Sequence, residues 1–232
     1  MNLVLLHDAD FIARDIVRLT GRRHEHITRV HRVVAGETLV VGVENGRVGE
    51  GTIVRIDGDA IEMRVVLDRD PPAALPLTLI VALPRPKVLN RVIAGATSMG
   101  VKRIHLINAW RVEKSYWSSP RLAPENLRAQ AIAGLEQARD TMMPVIETHR
   151  FFRRFVEELT HDDTLRLVAH PHAQDACPRD LHAPVTLAIG PEGGFIAEEI
   201  ASFERAGFRA VTIGARILRV ETAVAALIAR LF

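Results

Sequence analysis

Residues 187–195 read Leu187-Ala188-Ile189-Gly190-Pro191-Glu192-Gly193-Gly194-Phe195, an apolar strand that runs straight into a glycine-rich turn. The chain repeats the pattern at Val211-Thr212-Ile213-Gly214-Ala215-Arg216 and continues through Ile217-Leu218-Arg219-Val220-Glu221-Thr222. Two strand-to-glycine exits this close together imply two loops meeting at one edge of a parallel sheet. In open α/β sheets that edge is where ligands bind.

The turn excludes two common ligand classes. It lacks the Gly-x-Gly-x-x-Gly spacing of a dinucleotide site and the Gly-Lys-Ser/Thr ending of a triphosphate loop. Pro191 fixes its own φ, while Gly193 and Gly194 reach angles other residues avoid. Such a turn can press backbone N–H and C=O groups against a flat ligand with a neutral or cationic tail; it can equally be an ordinary tight βα connection. In the second loop, Arg216 and Arg219 could meet a polyanion or stabilise developing negative charge. Glu221 or Thr222 could cap the last helix.

From residue 77 onward strands and helices alternate. Leu77–Leu83, Ile104–Ala109, Leu165–Ala169, Val185–Ile189 and Ala210–Ile213 read as strands. Helices are expected near Val88–Met99, from Pro124 to Arg139, and over Phe152–Leu159 and Glu198–Ala206. The βα alternation predicts a mainly parallel sheet covered on both faces. The terminal run Ala223–Phe232 is apolar almost all round, so it must be buried in its own core or against another subunit. Residues 1–68 have a different grammar. Short apolar runs are joined at Asn45-Gly46 and Asp57-Gly58, dipeptides suited to hairpin turns, which indicates a small β-barrel. Asp68–Pro76, with three prolines, is the evident linker.

Composition narrows the setting. Apolar residues make up 48% of the 232, enough for a sizeable core. A single cysteine, Cys177, leaves no intrachain disulfide and fits a reducing cytoplasm; no catalytic role is expected of it. Charge arrives too early for a signal peptide, and no apolar run approaches a membrane span, so a cytoplasmic protein is expected. The formal charge is only +2, but its distribution is uneven. Residues 11–34 carry Arg14, Arg18, Arg22, Arg23, Arg29 and Arg32 against Asp15 and Glu25, and a second basic island covers 85–128. Arg22, Arg23, His26, Arg29 and Arg32 make a candidate phosphate surface, or else a solvated helix face. Trp110-Arg111-Val112-Glu113-Lys114-Ser115-Tyr116-Trp117 interleaves aromatic and basic residues. Arg111 and Lys114 could grip phosphates while the rings stack bases, or the rings could anchor a loop to the domain or a dimer partner. The ten histidines offer no carboxylate or cysteine at ligand spacing in the pairs His24/His26 and His170/His172, so no metal is expected.

The two glycine motifs together resemble the ribosomal RNA small-subunit methyltransferase E family of the SPOUT superfamily. Glu136-Gln137-Ala138-Arg139 also keeps that family's Glu-Gln and Arg but lacks its usual glycine. The resemblance implies an α/β fold in which a PUA-like β-barrel (1–70, RNA-binding) and a linker (71–76) precede a SPOUT domain (77–232) with a parallel sheet and a C-terminal trefoil knot. It implies a homodimer that methylates N3 of a uridine in 16S rRNA with S-adenosyl-L-methionine, acting on rRNA or the small ribosomal subunit. The cofactor would lie among the loops after residues 169, 189 and 213. Ile189, Gly190, Pro191, Glu192, Gly193 and Gly194 would line it, and Ile213, Gly214, Ile217, Leu218, Arg219 and Thr222 would close over it. Arg219 would stabilise charge on a uracil carbonyl oxygen, with Glu192 or Glu221 assisting proton removal or orienting the base. Two other readings compete. A non-catalytic RNA-binding protein of ribosome assembly explains the basic islands but not the glycine exits. A small-molecule enzyme using a nucleotide lacks a phosphate-loop lysine.

Overall fold

The computed structural model describes residues 2–31, 33–159 and 163–232, with the backbone alone at Val30 and His31. The chain divides into two compact units, one of residues 1–73 and 135–143, the other of 74–134 and 144–232. It is a mixed α/β protein with one barrel-like sheet and one parallel sheet. No helix among the described residues is long and apolar enough to cross a membrane.

The first unit is a six-stranded sheet, in the order β1-β4-β5-β6-β3-β2, built from β1 (Val4–Leu6), β2 (Phe11–Ala13), β3 (Ile16–Thr20), β4 (Thr38–Val43), β5 (Val48–Ile56) and β6 (Ala60–Arg69). Only the β1–β4 pairing is parallel. Alternate residues point inward, as the two-residue strand period requires. Val17 and Leu19 of β3, Val41, Ile53, Ile61, Met63 and Val65 meet Val4, Leu6 and Ile27 in one buried cluster. Both expected turns join neighbouring strands: Asn45, at φ 57°, turns β4 into β5, and Asp57 opens the turn into β6. A short α-helix, α1 (Gly21–His26), runs into a π-helical turn over Ile27–His31, neither of which periodicity predicts.

Residues 135–143 complete this unit. The Asn45 N–H donates to the Thr141 carbonyl (2.8 Å), and the Met143 N–H donates to Asn45 Oδ1 (2.9 Å). A side chain at Gly42 would bring its Cβ to 2.4 Å from Thr141 Cγ2, so this close approach needs glycine. Arg23 forks onto Asp10 with bonds of 2.6 and 2.5 Å, and also donates to the Leu5 carbonyl. The buried Glu136 carboxylate accepts the Leu5 N–H and faces Arg22 and Arg23.

The second unit is a seven-stranded, wholly parallel sheet in the order β11-β13-β10-β12-β7-β8-β9. Its strands are β7 (Leu77–Ala82), β8 (Arg103–Ile107), β9 (Val145–His149), β10 (Leu165–Ala169), β11 (Asp175–Ala176), β12 (Val185–Ile189) and β13 (Arg209–Thr212). All five residues of β12 are buried, the mark of a strand covered on both faces. Between the strands run α2 (Pro86–Ser98), α3 (Pro124–Ala138), α4 (Phe152–Glu157), α5 (Ala197–Arg205) and, last, α6 (Val220–Leu231). The last turn of α3 belongs to the first unit. α2 packs on α6, and α4 on α5. α6 buries Val220, Val224, Leu227, Ile228 and Leu231, and its end is held by the Leu181 N–H donating to the Leu231 carbonyl (2.6 Å). The terminal helix therefore has its apolar stripe in its own unit, while Ala225 and Ala229 face outward. Cys177, in the loop just after β11, is buried, and burial pushes its thiol pKa up.

Glu136 yields a pH-dependent prediction. Burial raises its carboxyl above the ordinary 4.5, although Arg22, the Leu5 N–H and Arg23 pull it down. The folded chain thus holds this proton more tightly than the unfolded chain, so stability falls as pH rises through that window. Glutamine copies the neutral acid. Glu136→Gln is expected to be more stable than the parent in urea melts at pH 7, with the difference closing at pH 4; a less stable variant at pH 7 would contradict the desolvation argument.

Candidate functional site

Register builds the site. Ala169 of β10 stands opposite Ile189 of β12 and Val211 of β13, so three parallel strands end in step. Their exits surround a cavity of about 360 Å³, the size of a small-molecule site. Its wall is formed by Ala169-His170-Pro171-His172, Ile189 to Phe195, and Val211-Thr212-Ile213 with Ile217 and Leu218. Val220, Ala223 and Leu227 of α6 and the Arg111 side chain complete the lining.

Phe195 anchors the glycine turn. Its buried ring lies 5.2 Å from that of Phe203 on α5 and 6.3 Å from that of Phe152 on α4, and Phe203 lies 4.9 Å from Phe208. The Gly194 N–H donates to the Pro191 carbonyl (2.7 Å) with Gly194 at φ 71°, a left-handed conformation that favours glycine. The Arg111 guanidinium donates to the Gly193 carbonyl. On the far side of the turn Glu199 is 6% exposed and uses both oxygens: Oε1 accepts the Trp110 N–H (2.7 Å) and Oε2 accepts the Ile196 N–H (3.0 Å). One carboxylate thus ties the turn to the loop after β8. Glu192 turns its carboxylate onto the Arg85 N–H (3.0 Å), at the start of α2.

Of the residues proposed to line a ligand, Ile189, Gly190, Pro191, Glu192, Gly193, Gly194, Ile213, Ile217 and Leu218 share this cavity. Gly214, Arg219 and Thr222 are exposed and lie outside its wall. Arg219 occupies the N-cap position of α6, and Glu221 in the first turn is paired with Arg91 at 3.3 Å. Ile217 is 77% exposed, an apolar side chain held at the opening. His170 and Pro171 lie in the loop after residue 169 that the resemblance places beside the cofactor, although no glycine there singles out its residues; Phe195 ends the glycine motif but reads as an ordinary residue after a turn. Burial, then His172, lowers the His170 pKa from its ordinary 6.5, which favours the uncharged imidazole.

The proposed RNA contacts are scattered. Arg22 and Arg29 are exposed on the first unit, Arg23 is committed to Asp10, and His26 is half-buried. Arg32 lies outside the described residues. Lys114 is exposed, whereas Arg111 holds the glycine turn. The aromatic segment splits in two. Trp117 is anchored, its Nε1–H donating to Asn108 Oδ1 (2.9 Å) with the Arg150 guanidinium 5.4 Å over its ring; Trp110 is 78% exposed. The model of the RNA methyltransferase domain family matches residues 71–232. A Treponema pallidum protein named ribosomal RNA small subunit methyltransferase E is 32% identical over 97% of this chain and 88% of its own length. A Mycobacterium bovis protein of the same name is 29% identical over 86% and 79%. Among solved structures, that of ribosomal RNA small subunit methyltransferase E from Neisseria gonorrhoeae bound to S-adenosyl methionine has a TM-score of 0.77 at 23% identity, covering 99% of this chain and 95% of that one.

The Glu199 bridge can be tested alone. Glu199→Ala strands two backbone N–H groups in a dry setting, at a cost of about 2–4 kcal/mol. Glu199→Gln turns an NH2 toward one of those donors and is expected to be destabilised as well. Chemical denaturation checks both, and parent-like stability in either variant would contradict the bridge.

Proposed function

The chain belongs to the ribosomal RNA small subunit methyltransferase E family, and from that membership we propose that it methylates N3 of a uridine in 16S rRNA with S-adenosylmethionine. The observation that carries the reading is the cavity where β10, β12 and β13 end together. Its residues fit the cofactor: apolar side chains from Ile189, Ile213 and Leu218 line it, glycine backbone can approach a flat ring closely, and burial favours the uncharged form of His170. A non-catalytic RNA-binding role gives no reason for such a cavity.

When bound, S-adenosylmethionine supplies an electrophilic methyl group on a sulfonium. The protein's task is then alignment, which can lower a barrier by several kcal/mol when the reacting atoms are held near contact. The uridine must leave its stack to enter. Its N3 would pass its proton to solvent water and use the freed electron pair to take the methyl group, the sulfur keeping the electrons of the bond that breaks. Arg219, exposed at the N-cap of α6, faces the base and stabilises charge growing on a uracil carbonyl oxygen. Glu192 and Glu221 are the carboxylates available for proton removal or orientation of the base. Their attachments to the Arg85 N–H and to Arg91 favour orientation, since each carboxylate already holds a neighbouring segment in place.

The proposal extends to architecture and setting. Residues 1–70 act as a PUA-like, RNA-binding barrel, 71–76 as a linker, and 77–232 as the SPOUT domain. In that domain the C-terminal segment is knotted as a trefoil and two copies pair as a homodimer. Support for the knot comes from β12, which enters late in the chain between β7 and β10, and from the grip of residues 177–181 on the end of α6. Arg22 and Arg29 bind RNA phosphates, Lys114 grips them beside the exposed Trp110, and the enzyme works in the cytoplasm, where its rRNA substrate is made.

Three measurements test the reading. Calorimetric titration is expected to give saturable S-adenosylmethionine binding, and mass mapping of 16S rRNA from cells lacking the protein is expected to lose one uridine methylation. Arg219→Ala should lower kcat about 100-fold or more while shifting the cofactor Kd less than about threefold. Near-normal turnover would remove Arg219 from the chemistry, and persistence of every uridine modification would overturn the assignment.

A further inference from the structure

At the sheet edge remote from the cavity, β8 and β9 pair so that His105 stands opposite Glu147 and Ile107 opposite His149. Side chains alternate along a strand, so His105, Glu147 and His149 project from one face. His105 Nδ1 lies 3.1 Å from His149 Nε2 and 3.3 Å from Glu147 Oε2, and the three donor atoms all fall within 4.8 Å of one another. The methyl-transfer reading uses none of these groups.

Hydrogen bonding alone serves this trio poorly. His105 Nδ1 carries at most one hydrogen, yet it faces both a carboxylate oxygen and a second imidazole nitrogen. A metal ion would instead accept a lone pair from each of the three atoms. Zinc–nitrogen bonds of about 2.0–2.1 Å in a tetrahedral shell place neighbouring ligand atoms about 3.3 Å apart. The two edges through His105 match that spacing. The buried Phe155 ring lies 5.5 Å from the His105 ring and 4.5 Å from the His149 ring, forming an apolar wall that fixes both imidazoles. Glu147 is exposed, which leaves an entry path and a fourth position for water. Nearby charges oppose one another, with Arg103 near His105 and Glu158 near His149.

We propose that His105, Glu147 and His149 form a binding site for one divalent transition-metal ion, zinc by its ligand set, that clips edge strand β9 to β8. Two imidazoles and one carboxylate discriminate against magnesium and calcium, which prefer all-oxygen shells. The clip would stiffen the base of the aromatic loop. The Asn108 N–H donates to the His149 carbonyl (2.9 Å), and the next residue, Arg150, donates to the Trp117 carbonyl (3.2 Å).

The test needs neither RNA nor methyl donor, so its outcome is separate from that of the proposed activity. Tag-free full-length protein is stripped with a chelator and titrated with Zn²⁺ against a chromogenic zinc indicator in excess Mg²⁺. One zinc per chain with a micromolar or lower Kd is expected, together with a rise in melting temperature and, with Co²⁺, visible absorption of a tetrahedral site. His149→Ala and Glu147→Gln should each weaken binding about tenfold or more, whereas His172→Ala should leave it unchanged. Glu147→Gln changes an exposed residue, so it keeps the test open if His149→Ala does not fold. Absence of stoichiometric zinc, or zinc binding unaltered in Glu147→Gln, would overturn the proposal.

Discussion

The hydrogen-bond register that aligns β13, β10 and β12 is the constraint on which the rest of the second unit depends. Parallel ladders keep the C-terminal ends of neighbouring strands on one side of the sheet. Here Ala169, Ile189 and Val211 lie in step. A one-residue slip would turn each strand's side chains to the opposite face. That slip would also move Gly190 and His170 off the cavity rim. Burial of β12 on both faces makes such a slip expensive, so the depth of the core sets the precision of the site.

Around that edge the protein fixes its loops by burying one group from each. Phe195 carries the end of the glycine turn into a cluster with Phe152, Phe203 and Phe208, leaving little freedom for Gly193 and Gly194. Glu199 then joins the turn to the loop after β8 through two backbone bonds from a single carboxylate. Charged side chains that look available in the sequence are used the same way: Arg111 on Gly193, Glu192 on the Arg85 N–H, and Arg23 on Asp10. Basic residues in a linear island therefore divide into structural and exposed members; of the candidate phosphate contacts, Arg22, Arg29 and Lys114 are exposed.

Local signals made much of this legible. Apolar runs broken by glycine marked β12 and β13, and Asn45-Gly46 and Asp57-Gly58 marked the hairpins of the first unit. β9 was not legible, because an edge strand reading Val145-Ile146-Glu147-Thr148-His149 buries too little to carry a continuous apolar pattern. Arg139 also escaped. It takes φ 56° just after α3, and the Asp140 N–H bonds back to Leu135, where a glycine is the usual stop signal. Partnerships across long separations left no trace in spacing. Trp110 and Glu199 are 89 residues apart, and His105 and His149 are 44 apart, so only the completed sheet brings them together.

The electrostatics of the cavity bear on how such a site would act on a cationic donor. Its wall is mostly apolar; of its charged members Glu192 accepts the Arg85 N–H and Arg111 donates to the Gly193 carbonyl. A sulfonium held there meets one carboxylate, Glu192, which is already engaged with a backbone N–H, and the sulfonium charge disappears as the methyl group leaves. Interactions that bind the cation strongly would stabilise the ground state more than the transition state and slow the transfer. A wall with few charges limits that penalty and leaves the glycine backbone to supply orientation. On this reading, introducing a carboxylate at Ile213 would tighten donor binding while lowering kcat, and the two effects would separate in a single-turnover measurement.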